Sequence, residues 1–218
     1  MLPIDPTSNL LQSKSAYSWN ERAGRYIDRA TGRFVAFSAV ERIMEGDVRA
    51  ASANMRVISE QLRNGEISLA SWQSGMMTDI RRIHLAEAMA ARGGWRQMTQ
   101  SDYGWVGQRI RTQYDYLNKF AGEIANGTQP LDGRFLLRVD LYASAGRTTF
   151  QEMRRRYEAS KGKTMERRVL APAEHCTTQG ALMGCVELAA LGWQPIGFMP
   201  PIGETPCIVN CKCHYEFR

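Results

Sequence analysis

Five cysteines lie within the last 43 of the 218 residues, and their thiols are the side chains of this sequence best suited to bind a metal or form a crosslink. They are Cys176, Cys185, Cys207, Cys211 and Cys213, with His175 and His214 beside the first and the last. Zinc prefers four sulfur or nitrogen ligands in a tetrahedron, and a short segment rich in Pro and Gly gains its fold from such a site. The spacing therefore favours a zinc site drawn from the five cysteines, with the two histidines as competing ligands.

Two other states of the same cysteines remain open. A disulfide can join the segment of Cys176 and Cys185 to the end of the chain, or the thiols can stay reduced and buried as small apolar groups. In an extended strand Cys211 and Cys213 project to the same side, so both can face one metal or one partner cysteine. A secreted disulfide scaffold usually spreads its cysteines through the chain, and this difference favours the metal.

A basic stretch is the second chemically distinctive feature. The protein carries 28 Lys and Arg against 22 Asp and Glu, a net charge of +6, and most of the excess lies in residues 147–168. The candidate phosphate-binding residues there are Arg154, Arg155, Arg156, Lys161 and Lys163. Such contacts bind nucleic acid without reading its sequence. The alternative is a solvated helix end whose arginines interact favourably with the helix dipole.

Residues suited to catalysis are few. The sequence has only three histidines, and His84 falls among apolar residues of a helical pattern, which is typical of a structural histidine. A cysteine nucleophile would be Cys176, provided that it lies within hydrogen-bond reach of His175 or His214. The sequence predicts no catalytic site beyond that possibility, and we expect a protein that is not an enzyme.

Four amphipathic helices are predicted ahead of the cysteines, because apolar residues recur there every three or four positions. Capping residues and glycines place them from Ser38, in a capping box with Glu41, to about Asn64; from Ser68 to Gly93; from Thr99 to Gly127; and from Asp132 to before Gly162. Each helix can bury its apolar stripe only against the others, since the loops are short. The predicted fold class is mainly α, with a bundle of about four helices.

Segments without helical periodicity flank this bundle. Residues 1–35 are rich in Ser, Asn and Pro and are predicted to form an extended N-terminal arm, either ordered by a partner or loose. Residues 36–168 are the predicted helical body, and residues 169–218 the predicted cysteine-rich C-terminal module. Pro and Gly exclude long helices from that module, leaving a short helix at about 180–191 and a terminal strand at 212–217.

Length and composition limit the class of protein. With 218 residues, 44% hydrophobic and 23% charged, the chain suits one globular domain, or one domain with an appendage. No apolar run approaches the roughly 18 residues of a membrane helix. The first residues lack the basic-then-apolar order of a secretory signal, so we expect a soluble protein that is not exported and does not contact membranes.

The cysteine-rich ending resembles the C-terminal signature of tailed-bacteriophage head-morphogenesis proteins, the minor head proteins similar to the F protein of phage Mu. The residues that carry the resemblance are Glu174-His175-Cys176, Cys185, Gly192-Trp193, Pro195-Ile196-Gly197, Pro200-Pro201-Ile202-Gly203, Cys207 and Asn210-Cys211-Lys212-Cys213. Tyr26-Ile27-Asp28 and Gly32-Arg33-Phe34-Val35 are similar to the N-terminal arms of such phage proteins.

The match to the family's Asn-Cys-Arg-Cys motif is close, with Lys212 in place of arginine. Cys176 and Cys185 stand, farther apart, where the family has a close cysteine pair, and Ile208 replaces the family's histidine. The resemblance implies a structural minor head or connector-associated protein of the virion, assembled in the host cytoplasm. It also implies a few copies per particle, contacts with the portal or major capsid protein, and no catalysis. The alternative is a nonspecific DNA-binding protein that is packaged or ejected with the genome.

Overall fold

The computed structural model describes residues 17–171 and 184–218. Four long helices, an N-terminal hairpin and a small C-terminal sheet make up the described chain. The elements are β1 (Tyr17–Asn20), β2 (Arg25–Asp28), α1 (Phe37–Arg63), α2 (Leu69–Arg92), α3 (Gln100–Ala125), α4 (Gly133–Ser160), β3 (Met165–Val169), α5 (Cys185–Ala190), β4 (Gln194–Pro195) and β5 (His214–Phe217). The predicted mainly α fold is confirmed, with its four main helices and a cysteine cluster near the end of the chain. Within the described ranges, no helix has the length and apolar character needed to span a membrane.

Local capping signals fix the starts of three helices as predicted. The side chain of Ser68 accepts the backbone N–H of Ser71 at the start of α2. Thr99 and Asp102 form a reciprocal capping box at the start of α3. The Asp132 carboxylate accepts two backbone N–H groups at the start of α4. These bonds satisfy donors that the first turn of a helix leaves without a partner.

The predicted capping box at Ser38 is wrong. Helix α1 begins at Phe37, after an extended Ala36, and no side chain caps it. The Phe37 ring stacks on Phe150 with centroids 6.2 Å apart, and the Arg154 guanidinium lies 3.6 Å from its centroid. The helix therefore begins one residue before Ser38, because Phe37 packs against α4 from the first turn.

Two apolar clusters fill the bundle. One lies around Trp72, Phe120 and Phe135, and the other around Met44, Val106, Phe150 and Met153. Polar side chains lie on the helices between them: His84 and Glu87 on α2 are both fully buried, and His84 Nδ1 lies 2.6 Å from Thr149 Oγ1 on α4. The bundle core is thus interrupted by a buried polar layer.

The described part of the predicted arm forms a hairpin that packs on the bundle. Strands β1 and β2 pair antiparallel, and Tyr26 is 4% exposed. The Trp19 ring covers Gly93 so closely that a Cβ there would lie 2.4 Å from it. Four-residue strands are too short to show a periodic pattern, which is why the sequence indicates only extended chain. Residues 1–16 lie outside the described residues.

The C-terminal sheet has the order β4-β3-β5, with both pairs antiparallel. Its central strand, β3, falls almost entirely in the segment assigned to the helical body. The side of β3 that faces the interior carries Glu166 and Arg168, which are 0% and 2% exposed. A strand whose buried face is charged gives no hydrophobic alternation, so the sequence pattern does not indicate it.

Candidate metal centre

The four described cysteines lie on three pieces of backbone. Cys185 is the first residue of α5, Cys207 and Cys211 flank a short 3-10 helix at Ile208–Asn210, and Cys213 immediately precedes β5. Ile208 has a φ of 44°, an uncommon value for a branched residue, and its N–H donates to Thr205 O at 2.7 Å. This tight turn directs the terminal cysteines toward Cys185. None of the four is more than 4% exposed.

The sulfur atoms of Cys185, Cys211 and Cys213 are spaced closely enough to bind one metal ion, and Cys207 is not part of that group. Cys185 Sγ lies 3.7 Å from Cys207 Sγ and 3.7 Å from Cys211 Sγ. The sulfurs of Cys185, Cys211 and Cys213 all lie within 4.8 Å of one another. Four sulfurs about 2.3 Å from a zinc ion are about 3.8 Å apart along the edges of their tetrahedron.

The same distances exclude a disulfide between these cysteines in this structure. A sulfur–sulfur bond is about 2.05 Å long, and the four cysteines of the described residues are reduced. Cys185, Cys211 and Cys213 can hold a metal ion, and within the described ranges no other group of His, Cys, Asp or Glu side chains is arranged to do so.

The electrostatics of the cluster favour ionisation of one thiol and oppose ionisation of a second. The pKa of Cys185 is lowered because the thiols of Cys211 and Cys213 donate to its sulfur, with smaller contributions from Thr205 and Arg168. The pKa values of Cys211 and Cys213 are raised, first because each donates to Cys185. Several thiolates at this separation repel one another unless a cation lies between them. A divalent ion supplies that charge and releases the protons.

A second set of polar groups surrounds Cys185. Arg168 Nη1 lies 3.4 Å from its sulfur, and Arg168 Nη2 donates to Pro200 O at 2.7 Å. Thr205 Oγ1 lies 3.3 Å from the same sulfur. Ile202 and Tyr215, both almost fully buried, pack against the cysteines. A closed site of this kind, with its sulfur ligands oriented by outer groups, is typical of structural rather than catalytic metal centres.

A buried ion pair fastens the cysteine module to the bundle. Arg155 on α4 makes two bonds of 2.7 Å to the Glu166 carboxylate on β3. The same guanidinium donates to Met199 O and to the Tyr215 hydroxyl, and it lies 4.3 Å from the Tyr215 ring centroid. These contacts join α4 to the module, and a further bond of 3.3 Å joins the same guanidinium to Glu152 on α4.

The predicted phosphate-binding residues separate into two groups. Arg155 is buried in the pair with Glu166, and Arg154 packs between the Phe37 and Phe217 rings, 3.6 Å and 5.5 Å from their centroids. Arg155 is thus buried and Arg154 half-buried, and both are engaged in contacts within the protein. Arg156, Lys161 and Lys163 are exposed, and none of them has a carboxylate partner among the described residues.

The histidines have structural surroundings where they are described. His84 is fully buried, and burial together with Arg109 lowers its pKa to about 3. His214 Nδ1 lies 3.6 Å from a Glu41 carboxylate oxygen, and its ring packs on Phe37 with centroids 5.6 Å apart. The predicted residues Cys176 and His175 lie outside the described residues.

The sequence did not indicate the polar side chains that surround Cys185 or the one that pairs with Arg155. Glu166, Arg168 and Thr205 have no motif of their own, and two of them belong to the charged stretch that suggested a solvated surface. The one sequence feature that could have indicated them is the spacing of the charged residues 166 and 168, which are two apart and so lie on one face of a strand.

Comparisons with known protein families, with curated proteins and with solved structures find no match.

Proposed function

We propose that this protein is a structural assembly protein whose C-terminal module is folded around one zinc ion. Its ligands are the grouped cysteines Cys185, Cys211 and Cys213, with Cys207, whose sulfur lies 3.7 Å from that of Cys185, as the fourth. The observation that carries the proposal is the set of sulfur separations of 3.7 Å around Cys185, in a site where every cysteine is buried. Thiolate sulfur favours zinc over hard cations, and four such ligands leave no open position for a substrate.

The assembly role is a minor head or connector-associated role in a tailed phage. The resemblance of the ending to the head-morphogenesis signature supports it, and so does the architecture. A rigid helical bundle gives a docking surface, and the metal-held module is fastened to it by Arg155. The partners proposed are the portal and the major capsid protein.

Elemental analysis of the reduced, purified protein tests the metal. We expect one zinc per chain, and loss of that zinc in the variants Cys185→Ser and Cys211→Ser. Cys176→Ser is the matched control, because four ligands are complete without it, and it is expected to retain the metal. Protein without zinc, with thiols that disappear in pairs on titration, would contradict the proposal.

Particle incorporation tests the assembly role. In cells that produce the phage, the tagged protein is expected to sediment with heads after nuclease treatment. Cys211→Ser is expected to sediment poorly, because its module no longer folds. A tagged protein that stays at the top of the gradient would count against the head role while leaving the metal result intact.

A nonspecific DNA-binding role is the second candidate, and the exposure of Arg156, Lys161 and Lys163 is the observation that favours it. Each lost phosphate contact lowers the slope of log affinity against log salt by about 0.9. The triple variant with glutamate at these positions is expected to lower that slope by about 2 to 3. Glutamate at Arg111, Lys119 and Arg134, all exposed on the other part of the bundle, is the charge-matched control. Equal losses in both variants would exclude a localised DNA site.

A further inference from the structure

A cleft of about 640 Å³ lies between the helical bundle and the cysteine module. Helices α1 and α4 form one wall, and the backbone around Cys211 and Cys213 forms the other. The cleft therefore exists only where the folded module meets the bundle.

The charge of the cleft is unbalanced. Four basic side chains line it, Arg42, Arg49, Arg147 and Lys212, against two acidic ones, Glu41 and Glu45. Glu45 is already engaged, since its carboxylate binds Arg147 at 2.5 and 2.8 Å and Lys212 at 2.9 Å. These bonds hold the pKa of Glu45 down at about 2, against the effect of burial, so it stays charged.

Two cations on the rim remain available. Arg42 and Arg49 are seven residues apart on α1, which places them on the same helix face two turns apart. Both are exposed, and neither has a carboxylate partner among the described residues. They are the part of the cleft that attracts an anion.

Gln151 on α4 lines the cleft and carries a buried acceptor without a partner. Gln151 is 3% exposed, and its Oε1 accepts no hydrogen bond within the described part of the chain. A buried acceptor without a partner is unfavourable, so a ligand whose N–H reaches this oxygen removes that cost. A peptide backbone carries an N–H at nearly every residue.

The cleft also has an apolar side. Met44, Leu170 and Ala171 line it, and Leu170 is 37% exposed. An aliphatic side chain placed there would be removed from water, which is favourable in proportion to the area buried. The basic rim, the unpartnered Gln151 oxygen and the apolar wall together match a peptide that carries both carboxylates and an aliphatic side chain.

We propose that this cleft binds an acidic, aliphatic peptide segment of a partner protein. Carboxylates of the segment pair with Arg42 and Arg49, one of its backbone N–H groups donates to Gln151, and an aliphatic side chain covers Met44 and Leu170. The proposal rests on the assembly role proposed above and gives the chemistry of the partner segment. Because the terminal cysteines form a wall of the cleft, binding requires the folded module.

The test uses the full-length zinc-loaded protein and a hexapeptide array. Every array peptide contains two Asp or Glu and two Leu or Val, in all orders, and a second array replaces the acids with Asn and Gln. We expect binding to acidic peptides alone. The best acidic peptide, labelled with fluorescein, then gives an affinity by anisotropy. Equal binding to both arrays, or to neither, would overturn the proposal.

Charge reversal locates the site. In the double variant Arg42→Glu, Arg49→Glu the affinity for the labelled peptide is expected to fall roughly tenfold or more, since two exposed ion pairs become repulsive. The double variant Arg111→Glu, Arg134→Glu changes the net charge equally at exposed positions outside the cleft. It is expected to keep the affinity. Equal losses in the two variants would show general attraction by a basic protein and not this cleft.

The variant Gln151→Met separates binding from folding. It removes an unpartnered buried acceptor, so thermal stability is expected to be unchanged or higher. Peptide affinity is expected to fall severalfold at the same time. Competition by inorganic phosphate at millimolar concentration would instead identify an anion site and overturn the peptide assignment. Zinc content, measured in each variant, shows whether the metal proposal stands when the peptide proposal fails.

Discussion

The attachment of the cysteine module to the helical bundle depends most on Arg155. Its guanidinium is bonded to a Glu166 carboxylate that has no exposed surface. Removal of one partner of such a pair leaves an uncompensated buried charge, which costs about 3–5 kcal/mol. Arg155→Met is therefore expected to lower the free energy of unfolding by that amount in urea denaturation.

Its neighbour gives the matched control. Arg156 is exposed, and Arg156→Met is expected to change stability by less than about 0.5 kcal/mol. The double variant Arg155→Met, Glu166→Leu should recover part of the loss, because the fully buried Glu166 charge is then gone and only Glu152, which also pairs with Arg155, has lost a partner. Similar effects of the two single variants would mean that the pair does not hold the module.

Glu87 makes stability depend on pH. Neither of its carboxyl oxygens has a hydrogen-bond partner within the described ranges, and burial, with Asp47 and Glu45 nearby, raises its pKa well above the ordinary value. A group whose pKa is higher in the folded state binds protons more tightly there. Its contribution is therefore complete below the unfolded pKa and is lost as pH rises toward the folded one.

Glu87→Gln removes this dependence. Relative to the parent protein, the variant is expected to gain stability as pH rises from 5 to 8, by up to about 1.4 kcal/mol per pH unit. Thermal denaturation at a series of pH values measures the difference. A constant difference over that range would show that Glu87 has an ordinary pKa.

At the scale of the elements, helix α3 depends on a local cap and helix α1 on packing. Thr99→Ala removes the capping bonds at the start of α3 and is expected to cost about 1 kcal/mol. Ser38→Ala is the control: Ser38 does not cap α1, so the expected change is near zero. Chemical denaturation of the two variants checks this. A larger loss of stability for Ser38→Ala would mean that the capping box predicted from the sequence does form.

Strand β3 shows how charge can specify a buried strand. Glu166 and Arg168 face inward, where Arg155 and the Cys185 sulfur are their partners. Each charged side chain is thus matched by a group on another element. The strand is stable only where α4 and the cysteine turn are already in place.

At the scale of the whole molecule, the apolar clusters of the bundle and the proposed metal site stabilise different parts. The bundle has its own apolar clusters around Trp72 and Phe150, whereas the module's cluster consists largely of the cysteines, Ile202 and Tyr215. Because its apolar cluster is so small, we expect the module to depend on the proposed metal for folding.

Chelation of the metal under reducing conditions is therefore expected to unfold the module alone. The far-ultraviolet circular dichroism of the four helices should persist, while the thiols of the four clustered cysteines become reactive toward a thiol reagent. Re-addition of zinc should protect them again. Loss of the helical signal together with the metal would contradict independent stability of the bundle, and unchanged thiol protection would contradict metal dependence of the module.

The amino-acid sequence was enough to predict the four helices, most of their ends and the cysteine set. These features depend on residues close together in the chain: apolar spacing, caps such as Ser68 and Thr99, and the 211–213 cysteine pair. The start of α1, the hairpin at 17–28 and strand β3 were decided only by the tertiary structure. Phe37, Trp19 and Glu166 each find a partner more than 10 residues away in sequence. A local sequence pattern does not indicate which distant charge or ring a side chain will contact. For the same reason, the basic stretch does not indicate that Arg155 is buried while Arg156 faces solvent.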